Sequence, residues 1–259
     1  MLEVDGVIAT IRLHRPDAGN AIDVALAEAL LAAVEKCGAD AAVRSVILTG
    51  AGRMFCAGGD VQAFAAAGDA VGALIGRITS PLHRAIGQLA ALSKSIVTAV
   101  NGAAAGAGLG LAMLGDVAIA GRSAKFAAGY VELGFTPDAG VSWLLPRLVG
   151  LREAQRLLFE GKRINADEAV RIGLISSVVR DDELMKSARI IAERLSQGAA
   201  AHPPALHRCR ILARCHEARR QRDADARGLT PLIWFHISPY DTFDLDMDQR
   251  LDLDLKEAA

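Results

Sequence analysis

Phe55-Cys56-Ala57-Gly58-Gly59-Asp60 and Asn101-Gly102-Ala103-Ala104-Ala105-Gly106-Ala107-Gly108 are the two stretches on which the fold turns. Each follows a run that reads as a buried strand, Ser45-Val46-Ile47-Leu48-Thr49 before the first and Ile96-Val97-Thr98-Ala99-Val100 before the second. Small residues after a strand let backbone N–H groups approach a ligand closely, because no side chain stands between. The second stretch runs into Leu109-Gly110-Leu111-Ala112-Met113-Leu114, an apolar segment predicted to form a buried helix. Its first N–H groups then lie at the positive end of the helix dipole. Two such donors converging on one oxygen make an oxyanion hole.

Outward from these turns, Val7 to Leu13 alternates as a strand, and Asp23 is placed to cap a helix through about Cys37. Phe64 to Gly76, rich in alanine and glycine, reads as a mobile stretch before a helix from about Thr79 to Leu92. Val117 to Ala120 reads as a strand, Ala139 to Val149 as a helix, and further helices begin near Leu151 and from Asp181. Strands alternating with helices predict α/β layering.

The 259 residues are 52% hydrophobic and 23% charged, enough for one large core with a small appended piece. A formal net charge of −1 excludes the electrostatic field of a nucleic-acid-binding protein. The four cysteines, Cys37, Cys56, Cys209 and Cys215, lack paired metal-ligand spacing, so no metal is expected. No secretory leader is read, nor an apolar run of membrane-spanning length free of charges and turn signals. A reduced cytoplasmic setting with free thiols and no membrane partner is the expectation.

Further motifs fall in order: His14-Arg15-Pro16 with Asn20-Ala21, Gly115-Asp116, Leu133-Gly134 with Pro137, Gly140, Leu145-Pro146-Arg147-Leu148-Val149-Gly150 and Ile172-Gly173-Leu174-Ile175. With the two glycine turns, their order and spacing resemble the enoyl-CoA hydratase/isomerase (crotonase) family over roughly residues 1 to 215. The resemblance implies a crotonase-like (ClpP/crotonase) ββα spiral, here residues 1–195. A C-terminal helical cap and oligomerisation region would follow over 196–259. It also implies a homotrimer or hexamer acting on an acyl-CoA thioester, with coenzyme A as part of the substrate and no cofactor.

The resemblance assigns the oxyanion hole to the N–H groups of Gly59 and Ala107. Ala57, Gly58, Asp60 and Gly106 line the substrate site beside them. The family's hydratases hold and activate a water with two glutamates, and those positions here are Gly110 and Tyr130. Neither can act as a carboxylate acid or base, so ordinary two-glutamate hydration is not expected. Asp138, in Gly134-Phe135-Thr136-Pro137-Asp138-Ala139-Gly140, stands where two subgroups place an acidic residue. Isomerases resembling the ring-expanding 2-(1,2-epoxy-1,2-dihydrophenyl)acetyl-CoA isomerase use it as a proton shuttle, and aryl-CoA dehalogenases as a nucleophile. Its alternative reading is a helix N-cap.

A lone carboxylate suits double-bond isomerisation, removing a proton at one carbon and returning it at another. His83 lies where the dehalogenases carry a base, and Tyr130 where they carry a pocket aromatic; packing is the alternative for each. Asp60 and Asp116 also read as turn-binding carboxylates. Cys56 reads as packing, Glu132 as a surface residue, and Lys94 with the Arg12/Arg15 region as candidates for CoA phosphates. Hydration by another route, dehalogenase-like hydrolysis and an inactive acyl-CoA-binding paralogue stand as alternatives.

Gly102 to Gly108 also matches the G-x-x-x-G-x-G turn of short-chain dehydrogenases. It lies deep in the chain, however, and no Tyr-x-x-x-Lys pair follows at the right distance. The ending departs from the family pattern with Arg219-Arg220-Gln221-Arg222, Trp234-Phe235-His236 and Asp244-Leu245-Asp246-Met247-Asp248. It reads as a divergent helical tail or a replaced terminus, expected to pack poorly.

Overall fold

A computed structural model describes residues 1–198. The expectations for the tail and for all but the start of the 196–259 region lie outside the described residues.

The chain opens with β1 (Leu2–Asp5), which turns at Gly6 into antiparallel β2 (Ile8–Leu13). Then α1 (Val24–Ala39) begins at Asp23, whose carboxylate accepts the Leu26 N–H at 2.8 Å. Next come β3 (Ser45–Gly50), α2 (Val61–Ala67), α3 (Val71–Ala91), β4 (Ser95–Val100), β5 (Ala104–Ala105) and α4 (Ala107–Ala112). They are followed by β6 (Val117–Gly121), β7 (Lys125–Ala127), α5 (Val141–Val149) and α6 (Leu151–Phe159). Last are β8 (Ile164–Asn165), α7 (Ala166–Arg171), β9 (Ser177–Val179) and α8 (Leu184–Gly198).

Six strands form one sheet in the order β1-β2-β3-β4-β6-β9, parallel from β2 onward, and β5-β7-β8 form a second, smaller sheet. Because β3 and β4 are parallel neighbours, with Ser45 opposite Ser95, their C-terminal ends carry both glycine turns to the same edge. All residues of β3 and β4 are buried, which requires cover on both faces. On one face, Ile8, Ile47, Val97, Ala99 and Ile119 pack against α8 through Leu184, Ala188 and Ala192, spaced by single helical turns. On the other, Ala9, Val46, Leu48, Ile96 and Val100 join the larger core with α1 and α3.

The stretch expected to be mobile is helical: α2 and α3, joined by a 3-10 turn at Gly68–Ala70, run from Val61 to Ala91. Thus α3 begins eight residues before the predicted Thr79. Glycine's weak helix propensity hid this; within the stretch only half-buried Phe64 and Leu74 pack on the core, and the residues that α3 buries, Ile78, Leu82, Ala85, Ile86 and Leu89, follow it. Within Val61–Ala91 an 18-residue window with mean hydropathy 1.2 matches a membrane-crossing helix in length and composition. Only 6% of that window is buried inside the protein, and α3 turns to the core through Ile78, Leu82, Ala85, Ile86 and Leu89.

Candidate active site

Two asparagines set the platform. Asn20, fully buried, donates through Nδ2 to the carbonyls of Ala51, Met54 and Phe55, at 2.8, 2.7 and 3.2 Å. Its Oδ1 accepts the Arg15 N–H. From the other side Asn101 accepts the Gly50 N–H and donates to the carbonyls of Gly52 and Met54. Together they clamp the loop that leads from β3 into the first glycine turn.

That turn is pressed against the second. The N–H groups of Phe55 and Cys56 both donate to the Ala103 carbonyl, and Ala105 N–H donates to that of Cys56 at 3.0 Å. A β-carbon on Gly58 would stand 2.8 Å from the Ala105 oxygen, and one on Gly108 would be 2.8 Å from Cys56 Cβ. Gly58 and Gly106 both have positive φ, 94° and 52°. Only glycine meets these demands without strain.

The orientation of the two amides follows. Ile22 N–H donates to Gly58 O, and Asp60 N–H donates to Ile22 O, so Gly59 pairs with Ile22 as an isolated parallel bridge. The two bonds of such a bridge use the residues on either side of Gly59, so the Gly59 N–H points away from Ile22. Ala107 is the first residue of α4, where helical geometry supplies no acceptor. Neither N–H finds an acceptor among the described residues.

A third segment, residues 128–140, closes on these turns. Gly106 N–H donates to Ala128 O at 3.0 Å, and Gly110 abuts Ala139. Chain reversal at Ala139 and Gly140, both with positive φ (50° and 80°), precedes α5. For alanine this conformation costs roughly 1–2 kcal/mol. It places Asp138 next to Tyr130 and His83. The Tyr130 hydroxyl donates to Asp138 Oδ1 at 2.9 Å, and His83 Nε2 lies 3.2 Å from Oδ2.

The N-cap alternative for Asp138 does not hold. Gly140 occupies the cap of α5 without a side-chain hydrogen bond, and only the Asp138 backbone carbonyl accepts from Val141 N–H. Tyr130 is 6% exposed; burial first, and then the Asp138 charge, pushes its pKa well upward, so the phenol stays a donor.

Of the other candidates, Asp60 caps α2 by accepting Ala63 N–H and pairs with Arg15 at 2.9 Å. The Ala63 hydrogen bond and then Arg15 hold its carboxyl below the usual range, against an opposing effect of burial. Ala57 N–H donates to Gly19 O. Asp116 accepts Ile96 N–H, a turn role. Cys56 is fully buried, its thiol pushed up to about 12 by burial, which keeps it unreactive.

Lys94 does not face the site. It lies at the N-terminal end of β4, opposite the glycine turns, and donates to the carbonyls of Asp40 and Val43. Arg15 is likewise engaged, by Ala21 O and Asp60.

Two aromatic residues were missed. The Phe64 ring lies where a β-carbon on Gly59 would go, 2.7 Å from its Cζ, and meets Phe135 edge to face with centroids 6.2 Å apart. Both wall the site between the first turn and the Asp138 loop. An aromatic inside an alanine-rich run, in a chain only 4% aromatic, was the available signal.

Fold and paired turns define a crotonase-like α/β protein. The family model for enoyl-CoA hydratase/isomerase matches residues 3–231. This chain belongs to that family. It is 39% identical over 198 residues to the 1,2-epoxyphenylacetyl-CoA isomerase of Escherichia coli, spanning 74% of each chain. It is 38% identical over 199 residues to a probable enoyl-CoA hydratase of Rhodobacter capsulatus, covering 77% of this chain and 76% of that one. A solved Pseudomonas aeruginosa structure, 40% identical, superposes with a TM-score of 0.73 over 88% of this chain and 93% of its own.

Proposed function

We propose that this chain shifts a double bond within an enoyl-CoA thioester, with Asp138 as the proton carrier. One observation carries the reading: a half-exposed carboxylate, Asp138, is held by Tyr130 and His83 beside Ala139, which packs on Gly110, while the positions that the resemblance assigns to hydratase glutamates hold Gly110 and Tyr130. The relative from Escherichia coli, named an isomerase, favours the same reading.

The substrate's thioester carbonyl would accept from Gly59 and Ala107 N–H. Asp138 takes a proton from C2 of a 3-enoyl group, and the C2–H electron pair spreads over the dienolate and its oxygen. Preorganised amides hold that negative charge, an effect worth several kcal/mol. The same carboxyl then delivers the proton to C4, and the conjugated 2-enoyl thioester forms with all atoms retained. Coenzyme A is the substrate's handle and no further cofactor is invoked. A homotrimer or hexamer in the cytoplasm completes the proposal.

The test is conversion of 3-enoyl-CoA esters, followed by the absorbance of the conjugated product. Asp138→Asn should lower kcat by about 10²–10⁴ while leaving CoA-ester affinity nearly intact. Near-normal turnover in that variant would move the chemistry elsewhere. The His83 contact with Asp138 favours a second reading, dehalogenase-like hydrolysis, which predicts halide release from an aryl-CoA and an ester at Asp138. Water addition to 2-enoyl-CoA would instead mark a hydratase, and binding without turnover an inactive paralogue.

A further inference from the structure

We infer that His83 is the site's port to solvent, exchanging the proton held by Asp138 with water during turnover. This rests on the reading of Asp138 as proton carrier. The two oxygens of that carboxylate have different surroundings. Oδ1 is closed off by the hydroxyl of buried Tyr130 at 2.9 Å. Oδ2 faces His83 Nε2 at 3.2 Å, and the His83 side chain is 47% exposed against 34% for Asp138. Beside His83 on α3, buried Leu82 and Ile86 anchor the helix, so the ring stands at the boundary between site and solvent.

The bookkeeping of hydrogens is simple. After Asp138 has taken the C2 proton, the carboxylic acid gives it from Oδ2 to the neutral imidazole, leaving a carboxylate beside an imidazolium. The half-exposed imidazolium exchanges its N–H hydrogens with water. A ring nitrogen then returns a solvent proton to the carboxylate, which delivers it to C4. A phenol locked as a donor, such as Tyr130, cannot do this; a histidine, with two ring nitrogens that can each carry a proton, can.

The experiment uses the full chain and its His83→Gln variant, whose amide keeps a hydrogen bond to Oδ2 but cannot carry a proton. Each converts 3-enoyl-CoA in D2O, and mass spectrometry with NMR measures deuterium at C4 of product formed in the first turnovers. The wild-type product should carry solvent deuterium, and the variant's should carry at least about fivefold less per turnover, whatever its kcat. Equal deuterium content in the two overturns the inference, as does a wild-type product that keeps its substrate hydrogen.

Butanoyl-CoA in D2O separates this from the isomerase reading. Exchange at its α-carbon that falls at least about fivefold in the variant supports the relay, even if no 3-enoyl ester is converted. The same exchange rate in both proteins overturns the relay, even where isomerisation is intact.

Discussion

Gly110 packs so tightly on the peptide of Ala139 that an added β-carbon would stand 3.0 Å from Ala139 Cβ and on top of its carbonyl. Residue 110 is one of the two positions to which the family resemblance assigns a hydratase glutamate. The next residue back from Ala139 is Asp138. A side chain at 110 and the chain reversal that presents Asp138 therefore compete for one volume, and this sequence has settled the competition in favour of Asp138.

Restoring the lost glutamate should consequently fail. Gly110→Glu is expected to cost about 1–3 kcal/mol or more through overpacking against backbone that cannot yield, and to confer no hydration of 2-enoyl-CoA. Chemical denaturation and a hydration assay on the variant check both halves. A stable variant that adds water would show that the 138–140 reversal can move aside.

Ala107→Pro isolates one backbone donor. Proline is tolerated at the first position of a helix, so removing the N–H at the start of α4 should leave the melting temperature nearly unchanged. Turnover should fall by about 10²–10³, the loss expected for one oxyanion donor. Full turnover in a folded variant would assign the thioester oxygen to other groups.

Asn20→Ala should be among the most destabilising changes of a single polar residue. It removes the Nδ2 donor shared by three carbonyls, of which Met54 keeps Asn101, and places alanine at a φ of 55°, which asparagine tolerates better. A loss of about 3 kcal/mol is expected in urea denaturation. Activity should fall with it, since the clamped loop feeds directly into Gly58 and Gly59.

Alkaline pH should weaken the fold through Cys56. Burial raises this thiol from 9.0 to about 12, so the unfolded chain gives up the proton first. The stabilising contribution is complete below pH 9 and disappears as pH rises toward 12. Urea denaturation at two pH values on either side of 9 should show a smaller loss in Cys56→Ala than in the wild type. An equal loss would place the titrating group elsewhere, for example at Cys37, which burial raises to about 11.

The apolar runs of β3 and β4 and the cap at Asp23 were legible because each carries a local signal: continuous burial, or an acceptor three residues before a free N–H. The strands Ala104–Ala105, Lys125–Ala127 and Ile164–Asn165 were not, since two or three residues show no periodicity and exist only through their pairing. At the site, the glycine turns announced themselves by composition, while the surroundings of Asp138 did not. Tyr130 is eight residues away and His83 fifty-five, and no local pattern joins them. The helical character of 64–76 was missed because Gly68, Gly72 and Gly76 obscure the helix-favouring alanines between them. Lys94 looked available because its partners, the carbonyls of Asp40 and Val43, lie some fifty residues away in sequence.

The grip of Asn20 and Asn101 on residues 51–55 has a wider consequence. Both are neutral amides at any pH the fold survives, so the clamp on that loop is indifferent to acidity and to whatever ionisable group stands opposite. Changes at residues 110, 130 or 138 can then alter which side chain faces the glycine turns while the clamped loop stays as it is.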